Sequence, residues 1–190
     1  MASSEINTSD TGKAMSQPAS NPVRIVEYDP NWPRRFERES VMLSGALGAR
    51  ALSIEHAGST SVPGLPAKPV IDIVLAVADS ADEGNYAAAL HQAGYHLRIR
   101  EPDWYEHRMF NDEAHEVNLH VFSAGCPEID QMLLFRDWLR NDSIDRDLYA
   151  RTKRELARRG WKSMQDYANA KTAVVQEILA RARTHFAQAG

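Results

Sequence analysis

The stretch His56–Val77, "HAGSTSVPGLPAKPVIDIVLAV", sets one acidic residue, Asp72, inside an apolar run that reads as a buried strand. An unpaired charge there costs several kcal/mol, on the scale of the whole margin by which a small domain is stable. The carboxylate must therefore be paired in the core or lie at an open strand end where a ligand or metal meets it. Just before the run, Gly58-Ser59-Thr60-Ser61 makes a hydroxyl-rich turn, and its glycine lets backbone N–H groups approach a ligand closely. Such a nest suits phosphate oxygens. Pro63, Pro66 and Pro69 stiffen the connection, and Lys68 adds a mobile cation beside it. Asp72 and Val74 project to one side, because strand side chains alternate with a period of two. Glycine, serine and proline also describe any tight loop. The combination of GS, a basic residue and a strand acid is what points to chemistry.

The surrounding pattern predicts an α+β fold: a mixed sheet with flanking helices and a helical C-terminal half. "VRIVEY" alternates as a short strand, and 29–48 reads as a helix with Pro33 in its first turn and Phe36, Val41, Leu43 and Leu47 on an apolar side. "RALSIEHAG" and "KPVIDIVLAV" are strands, and "SADEGNYAAALHQAG" is a helix stopped by Gly94. "YHLRIR", "YEHRMFN" and "EVNLHVF" alternate as strands, with "NDEAH" as a hairpin turn. From Pro127 the chain reads as helical in three pieces, with Ser143 and Ser163 as N-caps. Residues 1–22, rich in Ser, Thr, Ala and Asn, are expected to be a disordered tail, and 23–190 a single domain.

Composition narrows the partners. A net charge of −4 and a pI near 6.0 exert no pull toward nucleic acid or anionic membrane. No apolar stretch approaches the ~20 residues that cross a bilayer, and the N-terminus lacks the apolar core of a secretory signal. The single cysteine, Cys126, excludes an internal disulfide and fits a reducing, cytoplasmic setting, where it reads as a small packing residue.

The GS turn, with twelve residues between Ser59 and Asp72, resembles the nucleotidyltransferase superfamily of DNA polymerase beta. More closely, the chain resembles the GrpB family of that superfamily. The likeness runs through "VEYDPNWPRRFERE", "IEHAGSTSVPGLPAKPVIDIVLAV", "HRMF", "NLHVF", "LLFRDWLR" and "YARTKRELA". Fold follows from such a likeness more firmly than reaction does.

The resemblance implies that Gly58, Ser59, Thr60 and Lys68 hold nucleotide phosphates and that Asp72 binds Mg²⁺, or Mn²⁺. Polymerase-like transferases use two strand carboxylates one residue apart, plus a third, to hold two ions. Here Val74 stands at the second position, as an apolar residue generally does in the GrpB family. Asp72 then needs help, and Glu55 is the candidate second ligand, its alternative being a salt bridge to Arg108. His120, on one face with Asn118, is a metal ligand or general base, or else a hydrogen-bonded, half-buried histidine. Arg108 either clamps a phosphate or pairs with Asp72 or Glu55. Lys153, Arg154, Arg158 and Arg159 read as solvated helix charges, with Lys153 turned toward an anionic substrate as the alternative. Trp104, beside the acidic "EPDWYE", could stack on a base.

Two functions stand. One is a metal-dependent nucleotidyltransferase moving NMP from a nucleoside triphosphate to a small-molecule acceptor, favoured by the intact GS and Asp72. The other is a non-catalytic nucleotide-binding module, favoured by Val74. A GrpB-like domain is also found fused to dephospho-coenzyme A kinases, a loose link to nucleotide or CoA metabolism. Template-directed polymerisation is not expected, since no basic stripe holds a nucleic acid. Oligomeric state is not read from the sequence.

Overall fold

The computed structural model describes residues 23–189, so the expected tail lies outside the described residues. Its centre is a sheet of β1 (Ser53–Ala57), β2 (Ile71–Val77), β3 (Tyr95–Glu101), β4 (His107–Asp112) and β5 (Val117–Ser123), in the order β1-β2-β5-β4-β3. Only β2 and β5 run parallel, and the crossover between them carries a short helix and the β3–β4 hairpin. The helices are α1 (Trp32–Leu47), α2 (Ala87–Gln92), α3 (Pro127–Asn141), α4 (Ser143–Ala157), α5 (Met164–Asn169) and α6 (Thr172–Ala189). The fold is the expected mixed α+β arrangement.

Alternation along β2 divides the core in two. Ile71, Ile73 and Leu75 face α1 and α2, packing with Trp32, Leu43, Leu47 and Leu90. Val74 and Ala76 face the other way, against Ala57, Phe122 and Ile129 of α3. Each fully buried Leu or Ile contributes about 1.5–3 kcal/mol, so β2 is held from both faces. Asp72 is the one β2 residue that is not buried. Beyond the turn, Val62 and Leu65 insert among Leu139, Tyr149 and Ile178, which fixes α4 and α6 over the GS turn.

Several local expectations change. "VRIVEY" forms a single bridge, Val26 to Ala67, because Pro66 and Pro69 on the partner segment cannot donate to a ladder. Val41 is 74% exposed, so the apolar side of α1 is narrower than its hydrophobic residues suggest. The helix expected over 80–94 shrinks to α2, because Tyr86, at φ −137° and ψ −27°, is outside the helical region and buries its ring in the core, where its hydroxyl donates to the Ser80 carbonyl. Gly94, at φ +90°, ends that helix as expected. Asp142, not Ser143, caps α4, accepting from the Asp145 N–H, while Ser163 caps α5. The last helical piece divides into α5 and α6 without a proline or glycine to announce the break. Among the described residues no helix is long and apolar enough to cross a membrane.

Candidate functional site

The site grows from the turn that links β1 to β2. Gly58 has φ +64°, and a Cβ built there would lie 2.2 Å from Asp72 Oδ2, so only glycine fits against the carboxylate. Ser61 Oγ donates back to the Gly58 carbonyl at 2.6 Å and tightens the turn. Thr60 Oγ1 is bonded to His56 Nε2 at 3.0 Å, and the His56 ring stacks on Phe36. Burial pushes His56 down to about 4, so this histidine is a neutral prop.

Asp72 answers the question its burial raises. Its Oδ1 accepts from Asn118 Nδ2 at 2.8 Å, and Asn118 is oriented in turn by Asn111, whose Nδ2 donates to Asn118 Oδ1 at 2.8 Å. His120 Nε2 lies 3.9 Å from the same oxygen. Burial pushes the carboxyl up, but His120, Asn118 and Lys68 outweigh it and hold Asp72 below the usual carboxylate range. The group is charged and faces a cleft, with its side chain 28% exposed.

The helical half completes that cleft. Lys153 of α4 is buried, and its ammonium donates to Ser59 Oγ at 2.8 Å and to the Pro66 carbonyl. Lys171, in the break between α5 and α6, lies 4.6 Å above the Tyr167 ring. With Lys68, Thr60 and Asp72 these groups line a cavity of about 60 Å³. Burial lowers Lys153 to about 6 and Lys171 to about 8. Three lysines around one carboxylate make a small cavity that favours an anion.

Two expected partners are elsewhere. Arg108 is on the opposite face of the sheet: its in-register neighbour Val121 points into the α1 side, and its guanidinium binds Glu83 at 2.6 Å. It is a structural ion pair, not a clamp at the GS turn and not a partner of Asp72 or Glu55. Glu55 pairs with Arg136 of α3 at 2.8 Å, so its salt bridge is real but the partner is not Arg108. Trp104 keeps part of its ring exposed while its edge packs on His107 and Phe122.

Comparison with known proteins agrees with this frame. A family model described as "GrpB protein" matches residues 22–181. The chain belongs to the GrpB family. A UPF0157 protein of Halalkalibacterium halodurans is 56% identical over 166 residues, covering 87% of this chain and 85% of that one. A protein of Mycolicibacterium paratuberculosis named dephospho-CoA kinase is 32% identical over 192 residues, covering 87% of this chain but 47% of its own. The crystal structure of conserved protein GrpB from Enterococcus faecalis superposes with a TM-score of 0.76 at 28% identity, covering 86% of this chain and 99% of that one.

A metal can be tested against the donors of this GrpB-family chain. Among the described residues no group of three or more His, Cys, Asp or Glu is arranged to hold an ion. Val74 is buried, Glu55 is bound to Arg136, and Asn118 turns its amide N–H, not its oxygen, toward Asp72. These donors do not fit a two-ion centre. They do fit a single Mg²⁺ brought in with phosphate oxygens, because that ion commonly keeps its waters and takes only one or two protein carboxylates.

Two parts of the site lie outside the sequence expectations: Lys171, and His107, which touches His120 on one side and Glu101 on the other. Alternation of His107, Met109 and Asn111 along β4 would have put two of the polar residues on one face. Nothing in the local pattern marks Lys171.

Proposed function

We propose that this GrpB-family protein binds a nucleotide through its phosphates, seating them between the Gly58–Ser61 turn and the ammonium groups of Lys68, Lys153 and Lys171. The observation that carries the reading is Lys153, a buried lysine bonded to the Ser59 hydroxyl, to which no carboxylate among the described residues is hydrogen-bonded. A buried lysine without a close counter-ion is costly, and an incoming phosphate would compensate it. Relatives named dephospho-CoA kinase fit the same theme of nucleotide or CoA metabolism, and a cytoplasmic setting belongs to the reading. Calorimetric titration of nucleoside triphosphates and of inorganic triphosphate, with and without Mg²⁺ or Mn²⁺, tests it. Saturable binding is expected in the parent and strong weakening in Lys153→Met. Equal binding by both would remove the phosphate role.

Nucleotidyl transfer to a small-molecule acceptor is the second reading, favoured by the charged Asp72 with His120 beside it. When bound, a divalent cation would supply charge stabilisation at the reacting phosphate. In that reading Asp72 would hold the ion, the turn and the lysines would grip the phosphates, and His120 would take the proton of the acceptor. Pyrophosphate release from labelled nucleoside triphosphates, screened over hydroxylated and aminated small molecules, separates transfer from simple binding.

A further inference from the structure

A second and larger cavity, of about 500 Å³, lies along β1 and shares no lining residue with the lysine cavity at Asp72. β1 is the outermost strand of the sheet, with α1 packed on one face and α3 on the other, so the space opens between the two helices at the sheet edge. Its apolar walls come from Pro33 and Phe36 of α1, Ile54 of β1 and Pro63 beyond the turn. The Phe36 ring is held in place by stacking on His56, with ring centroids 4.7 Å apart. A volume of this size is in the range of small-molecule sites, which pair an apolar lining with a few fixed polar groups.

The polar groups here are two guanidinium groups of α3, and they differ in what is left over. Arg136 is spent: it binds Asp137 through Nε and Nη2, and Glu55 and the His56 carbonyl through Nη1. Arg140 is held mainly by backbone, with Nε and Nη2 on the Ser61 carbonyl at 3.1 and 3.0 Å. Its Nη1 reaches Asp137 at 3.1 Å, but that carboxylate is 44% exposed and shared with Arg136, so the pair contributes little. A guanidinium has five N–H groups, and among the described residues two of those on Arg140 have no acceptor. Of the lining carboxylates, Glu55 is taken by Arg136 and Glu37 is exposed on α1. The cavity therefore offers an apolar wall beside one oriented, incompletely bonded cation.

We propose that this cavity is a second ligand site, which takes a small apolar or aromatic carboxylate: its carboxylate oxygens accept from the free N–H groups of Arg140, and its body packs on Phe36, Ile54 and Pro63. A neutral apolar ligand would cover those N–H groups without supplying an acceptor, and an amine would bring a like charge to them. A carboxylate meets both demands, and the guanidinium is already fixed by the Ser61 carbonyl, so little ordering is needed on binding. The inference is independent of the phosphate reading, because the two cavities are lined by different residues.

The test titrates the full-length, ¹⁵N-labelled protein with phenylacetate and, as controls of the same shape, 2-phenylethanol and phenethylamine, followed by ¹H–¹⁵N correlation that includes the arginine Nε–H signals. Phenylacetate is expected to shift the Arg140 Nε–H and the Phe36 and Ile54 amides saturably, with both controls binding about tenfold more weakly or worse. Arg140→Gln is expected to lose the phenylacetate response at the Phe36 and Ile54 amides. Because that change also removes a bond to the turn, a second variant carries the test without it. Glu37→Arg, at an exposed position of α1, keeps the fold and adds a cation at the rim, and it is expected to bind phenylacetate severalfold more tightly. Equal binding of all three probes overturns the proposal. So do shifts confined to Ser59 and Lys153, or a Glu37→Arg protein that binds phenylacetate no better than the parent.

Discussion

Gly58 and Asp72 are in direct contact: the glycine of the turn lies where any side chain would overlap the carboxylate of the strand, with 2.2 Å left between a Cβ and Oδ2. The left-handed φ of +64° and this approach act together at one position. Gly58→Ala is therefore expected to lose about 1–3 kcal/mol from backbone strain alone, with the overlap added to it. In an Asp72→Ala background the overlap with Oδ2 and Cγ is removed, leaving the strain and the 2.9 Å approach of the two Cβ atoms. Urea unfolding of the single and double variants should show a coupling of about 0.5–3 kcal/mol. Strictly additive effects would mean that the two groups do not meet.

Asp72→Asn keeps the acceptor for Asn118 but removes the only carboxylate among the described residues that line the lysine cavity. Stability should change by no more than about 1 kcal/mol, the scale of one net hydrogen bond. Inorganic triphosphate should bind severalfold more tightly without Mg²⁺, and the added effect of Mg²⁺ should vanish. Calorimetry in both conditions checks this, and weaker metal-free binding would contradict the electrostatic picture.

Proton uptake should accompany anion binding. Lys153 is held down to about 6 and Lys171 to about 8, so between those values the empty pocket carries partly neutral lysines. A bound phosphate favours their charged forms, so affinity should fall as pH rises through this window. The same binding measured in buffers of different ionisation enthalpy reports the protons taken up. The stability of the empty protein runs the other way. Lys153 has a depressed folded value, so between about 6 and its ordinary 10.5 the unfolded chain binds the proton that the native state has released. The Lys153 contribution to stability should therefore rise with pH and be lost as pH falls toward 6, a slope that Lys153→Met should flatten.

Arg108→Lys should separate structure from binding. Its guanidinium meets Glu83 and the Glu106 and His107 carbonyls on the face away from the cleft. Loss of that geometry is expected to cost about 1–3 kcal/mol in unfolding free energy. Triphosphate affinity should be unchanged, and a matching loss of affinity would return Arg108 to the site.

The cap of α4 gives a further contrast in stability. Asp142→Ala removes the acceptor for the Asp145 N–H and is expected to cost about 1 kcal/mol, whereas Ser143→Ala should be close to neutral. Thermal unfolding of both variants decides between the two caps.

What could be read in the sequence follows the range of the interaction. The Gly58 turn, Asp72, and the shared face of Asn118 and His120 are each set by neighbours a few residues apart, and all are as the pattern implied. Arg108 went astray because alternation sorts the residues of one strand without saying which set faces which layer. Glu55 went to Arg136, supplied by a helix 81 residues further along the chain, and no local pattern names such a partner. Lys171 reached the cavity through a helix break that no glycine or proline marks. The long-range parts of the site were the illegible ones.

The bond from Lys153 to Ser59 spans 94 positions of chain. During synthesis the strands and the turn emerge well before α4 exists, so a partly made chain has the carboxylate of Asp72 but not the buried ammonium. Such an intermediate sets Lys68 against Asp72 in rough balance, and only the finished fold adds the ammonium groups of Lys153 and Lys171 that tip the cavity toward an anion. Occupancy by phosphate would thus act as a receipt for completed folding, rewarding the chains whose last helices have docked and passing over those that stopped short.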